Sequence, residues 1–460
     1  TVKLLANHTT NWSDVEAGEY ATLAVVRKTL TLDLNGMTVD YLTVGDVVPD
    51  EAGGILDSYN GNLTVVDNAQ EGSCGKIKDL EFVKGSLAIQ GGRIGDSLTC
   101  DRNSGTVTIS GGTVCNVTVG DGAAVTVTGG TEHAGNWHND GTLNITGGTL
   151  TASARNTVLS QFGEVHIGAS AHLMAAGEGK SAVQLIGAKM TLSGDAVLSG
   201  NGGIDVFNSN RNEEGTVSAQ VEITGGRIET KDFPVSGNNQ ESAGAEVAIT
   251  GGSLKNISGG TAIYWPMEGQ LTIGGNAVIE GGTGIEAKMG TITIKDNAVI
   301  TGSGEWKEEK PQNGGANPEG SAFLGSAQMY DGCINDSSLV VNILGGTLKS
   351  VNGNAVTIYN TEEKSDVRAD ISVTGGSLQP AAGKGAVKVI TSGDNTTRFD
   401  PDKKTLDTMK SNTTVKVAKD VAAAATDRDG KTTYYNTVEE ALGSNTEDGN
   451  IHIYINENSS

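Results

Sequence analysis

Aromatic side chains are scarce in this chain, at 4% of 460 residues. Any interior must therefore be aliphatic, and propeller blades, which run about 40–45 residues and repeat an aromatic signature, are disfavoured. Proline is rarer still, at 7 positions against 66 glycines. That balance argues for tight turns between short strands and against a disordered proline-rich chain. Positive charge is in deficit. The 32 Lys and Arg stand against 55 Asp and Glu, leaving a net charge of −23. Such a surface repels phosphate backbones and anionic lipid, so no nucleic-acid partner is expected. No apolar run approaches the ~18 residues of a membrane-spanning helix, so no membrane insertion is expected either. The opening TVKLLANHTT has no basic stretch leading into an apolar one, so it does not read as a signal peptide.

Cysteine is sparse too: Cys74, Cys100, Cys115 and Cys333, with no CxxC pair. Four in a chain of this length do not make a disulfide scaffold. Cys100 and Cys115 are closer together than the local repeat, so they do not occupy equivalent positions. They read as scattered thiols, with a Cys100–Cys115 bridge as the alternative.

What is abundant is repetition. ISGGTV at 109–114 returns as ITGGTL at 145–150, ITGGSL at 249–254, ILGGTL at 343–348 and VTGGSL at 373–378. Looser copies, LSGDAVL at 192–198 and IKDNAVI at 294–300, lie between them. Ahead of each glycine pair, apolar residues alternate: Val107/Ile109, Val125/Val127, Leu143/Ile145, Val247/Ile249, Ile371/Val373. Period two is strand spacing and puts each pair on one face. One more inward residue follows the glycines, such as Val114, Leu150 or Leu254. A third strand shows as SAVQLI at 181–186, TAIYW at 261–265 and TGIEA at 283–287. Most units run 20–26 residues. Each unit leaves an apolar face that only its neighbours can cover. The expected fold is all-β: a single-stranded parallel β-helix, three short strands per coil, right-handed by the crossover rule.

Residues 1–400 are expected to form this β-helix, with an N-terminal cap in 1–25. FDPDKKTLD at 399–407 reads as a boundary. TVKVAKD at 414–420 and IHIYINE at 451–457 read as strands and NTVEEAL at 436–442 as a short helix. Residues 401–460 would thus be a small α+β cap or the start of a further module.

These phrases resemble the parallel β-helix surface proteins of gram-positive bacteria, within the pectate-lyase-like superfamily. LDLNG at 32–36, the recurrent ITGGT and YYNTVEEALGSNTEDGNIHIYINE at 434–457 carry the likeness. It implies an extracellular, cell-surface or secreted bacterial protein, a monomeric piece of a longer multi-module chain. It leaves activity open, because that fold hosts lyases, hydrolases, adhesins and passive stalks.

A catalytic set is not legible. The polygalacturonase-like phrases NTD, GHG and RIK are missing, and no phosphate-binding glycine loop appears. His133 and His138 in EHAGNWHND, with Asp140, approach a metal-ligand spacing, but a solvated turn is the better reading; no metal and no cofactor are expected. Outward threonines (Thr108, Thr126, Thr272, Thr293) are interrupted by Asn144, His166, Glu222 and Ala248, as β-propensity alone would give. The outward column of the third strand is more informative: Gln184, Asp205, Tyr264, Glu286, Thr357, Lys388. Its members vary while their inward neighbours stay aliphatic, as on the recognition faces of repeat proteins. Beside it, 302–338 is an insertion holding Trp306 and Tyr330. With Tyr264, Trp265, Glu286 and Tyr359 these form the expected ligand-binding patch, suited to sugar stacking or protein contact. The expected function is a non-enzymatic, adhesin-like module for a host glycoprotein, immunoglobulin or glycan. The alternatives are a polysaccharide lyase or glycoside hydrolase, and a passive stalk.

Overall fold

The computed structural model describes residues 1–9, 23–51, 55–130, 132–207, 209–211, 215–237, 245–307, 315–327, 338–360, 368–391, 396–401, 423–426, 432–435, 438–443 and 450–453. Among them the chain is all-β, with one short helix at Val438–Gly443. It forms two units, Thr1–Asn201 and Gly202–Ser460. In both, long parallel sheets stack as in a β-helix-like solenoid.

In the first unit the inward residues of one sheet form the ladder Leu63–Leu87–Val107–Val125–Leu143–Val165–Met190. A second ladder runs Leu42–Leu80–Leu98–Val117–Trp137–Val158–Val183. All are buried. Each such aliphatic side chain contributes roughly 1.5–3 kcal/mol on burial, which is how a core poor in aromatics is held. A third sheet is separate only from Glu132–Ala134 onward. Before that, its role falls to bulged strands. Arg93–Cys100 shifts register between Ile94 and Ser97 against both neighbours, so the chain turns the corner inside one strand. Val2–Lys3 and Leu23–Val25 already pair in parallel with Leu32–Asp33 and Leu42–Val44. These two strands of the expected N-terminal cap therefore belong to the stacked sheets.

The two glycines of each repeat phrase serve different ends. A Cβ on Gly111 would lie 2.2 Å from the carbonyl oxygen of Gln90 one layer below, so stacking distance forbids a side chain there. Gly112 instead needs positive φ, +73°, which only glycine adopts cheaply. The looser copies turn otherwise: Ala169, Gly194, Gly275 and Asp296 sit at one equivalent position with φ between 47° and 64°.

The second unit repeats the plan with Val221–Val247–Leu271–Ile292–Val341–Ile371 on one sheet. Ile228–Leu254–Ile279–Ile300–Leu348–Leu378 lie on another. The remaining sheet runs Ile204–Val235–Ile263–Ile285–Phe323–Val356–Val387. Parallel pairing continues into Thr396–Pro401, where a boundary was expected. Direction then changes: Ala423–Thr426 runs antiparallel to Thr432–Tyr435 and Asn450–Ile453, with the helix Val438–Gly443 beside them. The expected strand at 414–420 lies outside the described residues.

Candidate functional site

The outward column is one continuous ladder in the second unit, and it is longer than the sequence indicated. Asp205 pairs with Ser236, Ser236 with Tyr264, Tyr264 with Glu286, Glu286 with Leu324, Leu324 with Thr357 and Thr357 with Lys388. Gln184 belongs to the first unit, where its carboxamide oxygen accepts from Asn156 Nδ2 at 2.8 Å.

From Tyr264 to Lys388 this outer face is not wet. Glu286, Leu324 and Thr357 are 0% exposed, and Tyr264 and Lys388 are buried as well. The described part of the inserted segment, above all 315–321, lies over them and is held by many polar ties. Glu319 N donates to Thr283 Oγ1 at 2.9 Å and Asn317 N to Glu286 Oε2 at 2.7 Å. Ser350 Oγ donates to Gly320 O at 2.7 Å, and Asn352 Nδ2 to Gly304 O at 2.9 Å.

Under this cover sit two buried carboxyls and a buried amine. Glu286 has its Oε2 bonded by Asn317 N–H and by Thr261 Oγ1 at 3.3 Å, while its Oε1 has no hydrogen-bond partner. Burial pushes its carboxyl up to about 7, against the opposing pull of Asn317, Lys288 and Thr261. Lys288 follows it on the same strand face and is 0% exposed. Its Nζ donates to Gly315 O at 2.7 Å and stands 5.4 Å from the centre of the Tyr264 ring. Burial lowers the amine's pKa, and Glu286 raises it in part. Tyr264 in turn stacks on Phe233 at 5.1 Å. Glu319 is the second carboxyl. It accepts from Ser321 Oγ at 2.6 Å and Tyr359 Oη at 3.3 Å, and burial raises its pKa. Ser321 Oγ also lies 2.7 Å from Thr357 Oγ1.

The residues expected to bind ligand are therefore placed unequally. Tyr264, Glu286 and Tyr359 are all buried on this face: Tyr264 and Glu286 pair on adjacent strands, while Tyr359 stands further along and bonds Glu319. Trp265 points the other way, into the interior, and is 0% exposed; the strand's alternation that turns Tyr264 outward turns its neighbour inward. Trp306 is half-buried at the edge of the cover. Lys384 Nζ lies 4.6 Å and Lys388 Nζ 5.9 Å from its ring centre, within cation–π range. Tyr330 lies outside the described residues. Sequence reasoning missed Lys288, Asn317, Glu319 and Ser321. The available signal was Leu324, an apolar residue in an outward slot, which marks a covered face.

The histidines and cysteines of the first unit resolve simply. His133 is buried in the interior ladder beside Leu150, with Nδ1 accepting from Val114 N–H at 3.1 Å and Nε2 3.2 Å from Gly129 O. It is a core residue, contrary to the solvated turn expected for it. His138 Nε2 stands 3.1 Å from Asp140 Oδ1. Among the described residues no group of three His, Cys, Asp or Glu side chains is placed to hold a metal. Cys74, Cys100 and Cys115 are free thiols, so no Cys100–Cys115 bridge exists; Cys333 lies outside the described residues.

No protein-family model matches this chain, and no curated protein or solved structure is significantly similar to it.

Proposed function

We propose that this chain is a non-enzymatic binding module of a bacterial cell-surface or secreted protein. In this reading a right-handed parallel β-helix of 20–26-residue coils carries a contact surface on the covered side of the second unit. The ligand is a host glycoprotein, an immunoglobulin or a glycan. The observation that carries the reading is the anchoring of the insertion. Its backbone is tied to the sheet by Thr283, Glu286, Ser350 and Asn352, so what it presents outward is preorganised, and preorganised loops on a stiff scaffold bind at low entropic cost. Trp306, with the part-exposed Lys384 over its ring at 4.6 Å, offers an aromatic edge and a cation on an otherwise acidic protein. That combination suits acidic sugars or a protein hot spot.

The test is retention of purified mucin, immunoglobulin and an arrayed glycan panel on immobilised protein. The reading expects retention of at least one, weakened about tenfold or more when Trp306→Ala removes a hot-spot ring. Equal retention by wild type and variant would dismiss the location. Retention of none would favour the passive stalk.

A hydrolase is the second reading, because two carboxyls with raised pKa values share one covered patch, as acid and base pairs do in glycosidases. Their burial argues against it, since Glu286 and Glu319 are 0% and 3% exposed and a glycan has no route to either in this arrangement. New reducing ends or unsaturated products from the same glycan panel, lost in Glu286→Gln and Glu319→Gln, would reverse the preference.

A further inference from the structure

We propose that residues 315–321 form a strap whose seat on the sheet requires Glu286 and Glu319 to be protonated, so that it is held down in acid and lifts as the two carboxyls ionise. The inference is independent of what the module binds.

Contact geometry carries it. The strap meets the sheet through both carboxyls, one from each side. Glu286 rises from the sheet and takes the strap's Asn317 N–H on Oε2 at 2.7 Å. Glu319 belongs to the strap. Its Oε1 accepts from Ser321 Oγ at 2.6 Å, and its Oε2 from Tyr359 Oη of the sheet at 3.3 Å. Ser321 Oγ is itself 2.7 Å from Thr357 Oγ1, so carboxyl, serine and sheet form one run of hydrogen bonds. Glu286 is 0% and Glu319 3% exposed. Their bonding partners are neutral amides and hydroxyls, and among the described residues no ion pair within 4 Å reaches either carboxyl.

The charged and titratable groups around them stand further off. On the strand of Glu286, Lys288 acts on it only at longer range, and its Nζ donates instead to Gly315 O at 2.7 Å. The flanking strands bring Tyr264 on one side and the non-titratable Leu324 on the other. Glu319 faces Tyr359 and, beyond ion-pair contact, Lys388. Lys307 ties its backbone N–H to Glu319 O at 3.3 Å but is exposed.

A carboxylate buried without a counter-ion is costly, whereas a neutral carboxyl needs little more than an acceptor for its proton. These surroundings suit the neutral form. Thr261 Oγ1, at 3.3 Å, is able to accept the Glu286 proton, and Oε1, which has no hydrogen-bond partner, is then an uncharged carbonyl oxygen. After ionisation the same oxygen is a dry anion. Burial accordingly raises both carboxyls, Glu286 to about 7. Lifting the strap returns Glu286 to water and toward its ordinary 4.5. The seated value is the higher one, so seating is favoured fully below about pH 4.5 and weakens as pH rises through about 7. Histidine does not confuse this window. His8, His133, His138, His166 and His172 belong to the first unit, and His452 pairs with Ala424 on the terminal strands.

The experiment is hydrogen–deuterium exchange of the full chain at pH 5.5, 7 and 8.5, read by mass spectrometry, with labelling times scaled for the intrinsic pH dependence of exchange. The expected result is protection of peptides spanning 315–321 at pH 5.5 that falls about tenfold or more by pH 8.5, while Gly269–Ile273 stays protected. Glu286→Gln and Glu319→Gln keep a neutral side chain of the same shape, so each should reduce the fall and the double variant should abolish it. Wild-type protection that is flat across the range, or absent at pH 5.5, overturns the proposal, and that readout needs no variant to fold. Equal loss in Gly269–Ile273 overturns it too, since the unit would then be opening as a whole. A fall undiminished in a folded double variant would assign the titration to other groups and dismiss both carboxyls.

Discussion

The indole of Trp306 occupies the space that a side chain at Gly353 would fill: a Cβ there would come within 2.3 Å of Trp306 Cε3. A residue of the insertion thus docks on a glycine of the next layer, since Val299–Gly302 pairs directly with Thr347–Ser350. The smallest residue is required for the ring to lie flat against the chain. Gly353→Ala is expected to push the indole off this seat and lower the stability of the second unit by about 1–3 kcal/mol, the usual cost of overpacking. Urea unfolding followed by Trp fluorescence measures it, and limited proteolysis should show faster cutting between 303 and 322.

Gly85 is the corresponding weak point of the first unit. It is stacked between Gly61 and Gly105, has φ +122°, and a Cβ would fall 2.1 Å from Gly61 O. Both the backbone conformation and the interlayer distance exclude a side chain. Gly85→Ala should cost about 3 kcal/mol or more. An unchanged denaturation midpoint would show that the glycine stack is not what sets the layer spacing there.

His133 gives the first unit a pH dependence of defined sign. Its Nδ1 accepts a backbone N–H and burial lowers its pKa below the ordinary 6.5. The unfolded chain therefore binds the proton first. Stability is full above about pH 6.5 and falls as pH drops from there toward the folded-state pKa. Urea midpoints between pH 5 and 8 should show this slope. His133→Leu should flatten it while costing about 1–3 kcal/mol throughout, because Val114 N–H loses its acceptor.

Thiol reactivity should follow burial. Cys74 is exposed, whereas burial pushes the Cys100 thiol up to about 12. Only the thiolate alkylates. Iodoacetamide at pH 8 is expected to label Cys74 within the native protein and Cys100 only after unfolding, read by peptide mass spectrometry. Prompt native labelling of Cys100 would mean that the first unit opens locally.

Much of the scaffold was legible in the sequence, for local reasons. Val107 and Ile109 point inward because strand side chains alternate, and their neighbours Val125 and Val127 stack on them because the phrase repeats. The outward column was legible by the same parity, including Tyr264, Glu286, Thr357 and Lys388 in one ladder, although Ser236 and Leu324 were passed over. The bulged corners before Glu132 were not, since a register shift between Ile94 and Ser97 leaves no mark on apolar spacing. His133 shows the same limit. Its place in the interior depends on pairing with Leu150, a contact that spacing within its own segment does not encode.

The alternation of aliphatic residues and the glycine pairs determined, from sequence alone, that this chain stacks in parallel layers around an aliphatic interior, because period-two burial and close interlayer approach are local steric demands. Which outward residues stay dry was decided only by tertiary structure. Glu286 and Asn317 are brought together by an insertion folding back over the sheet. Nothing in either residue's neighbourhood along the chain specifies that return; it is set by many weak ties made at once across the face it covers.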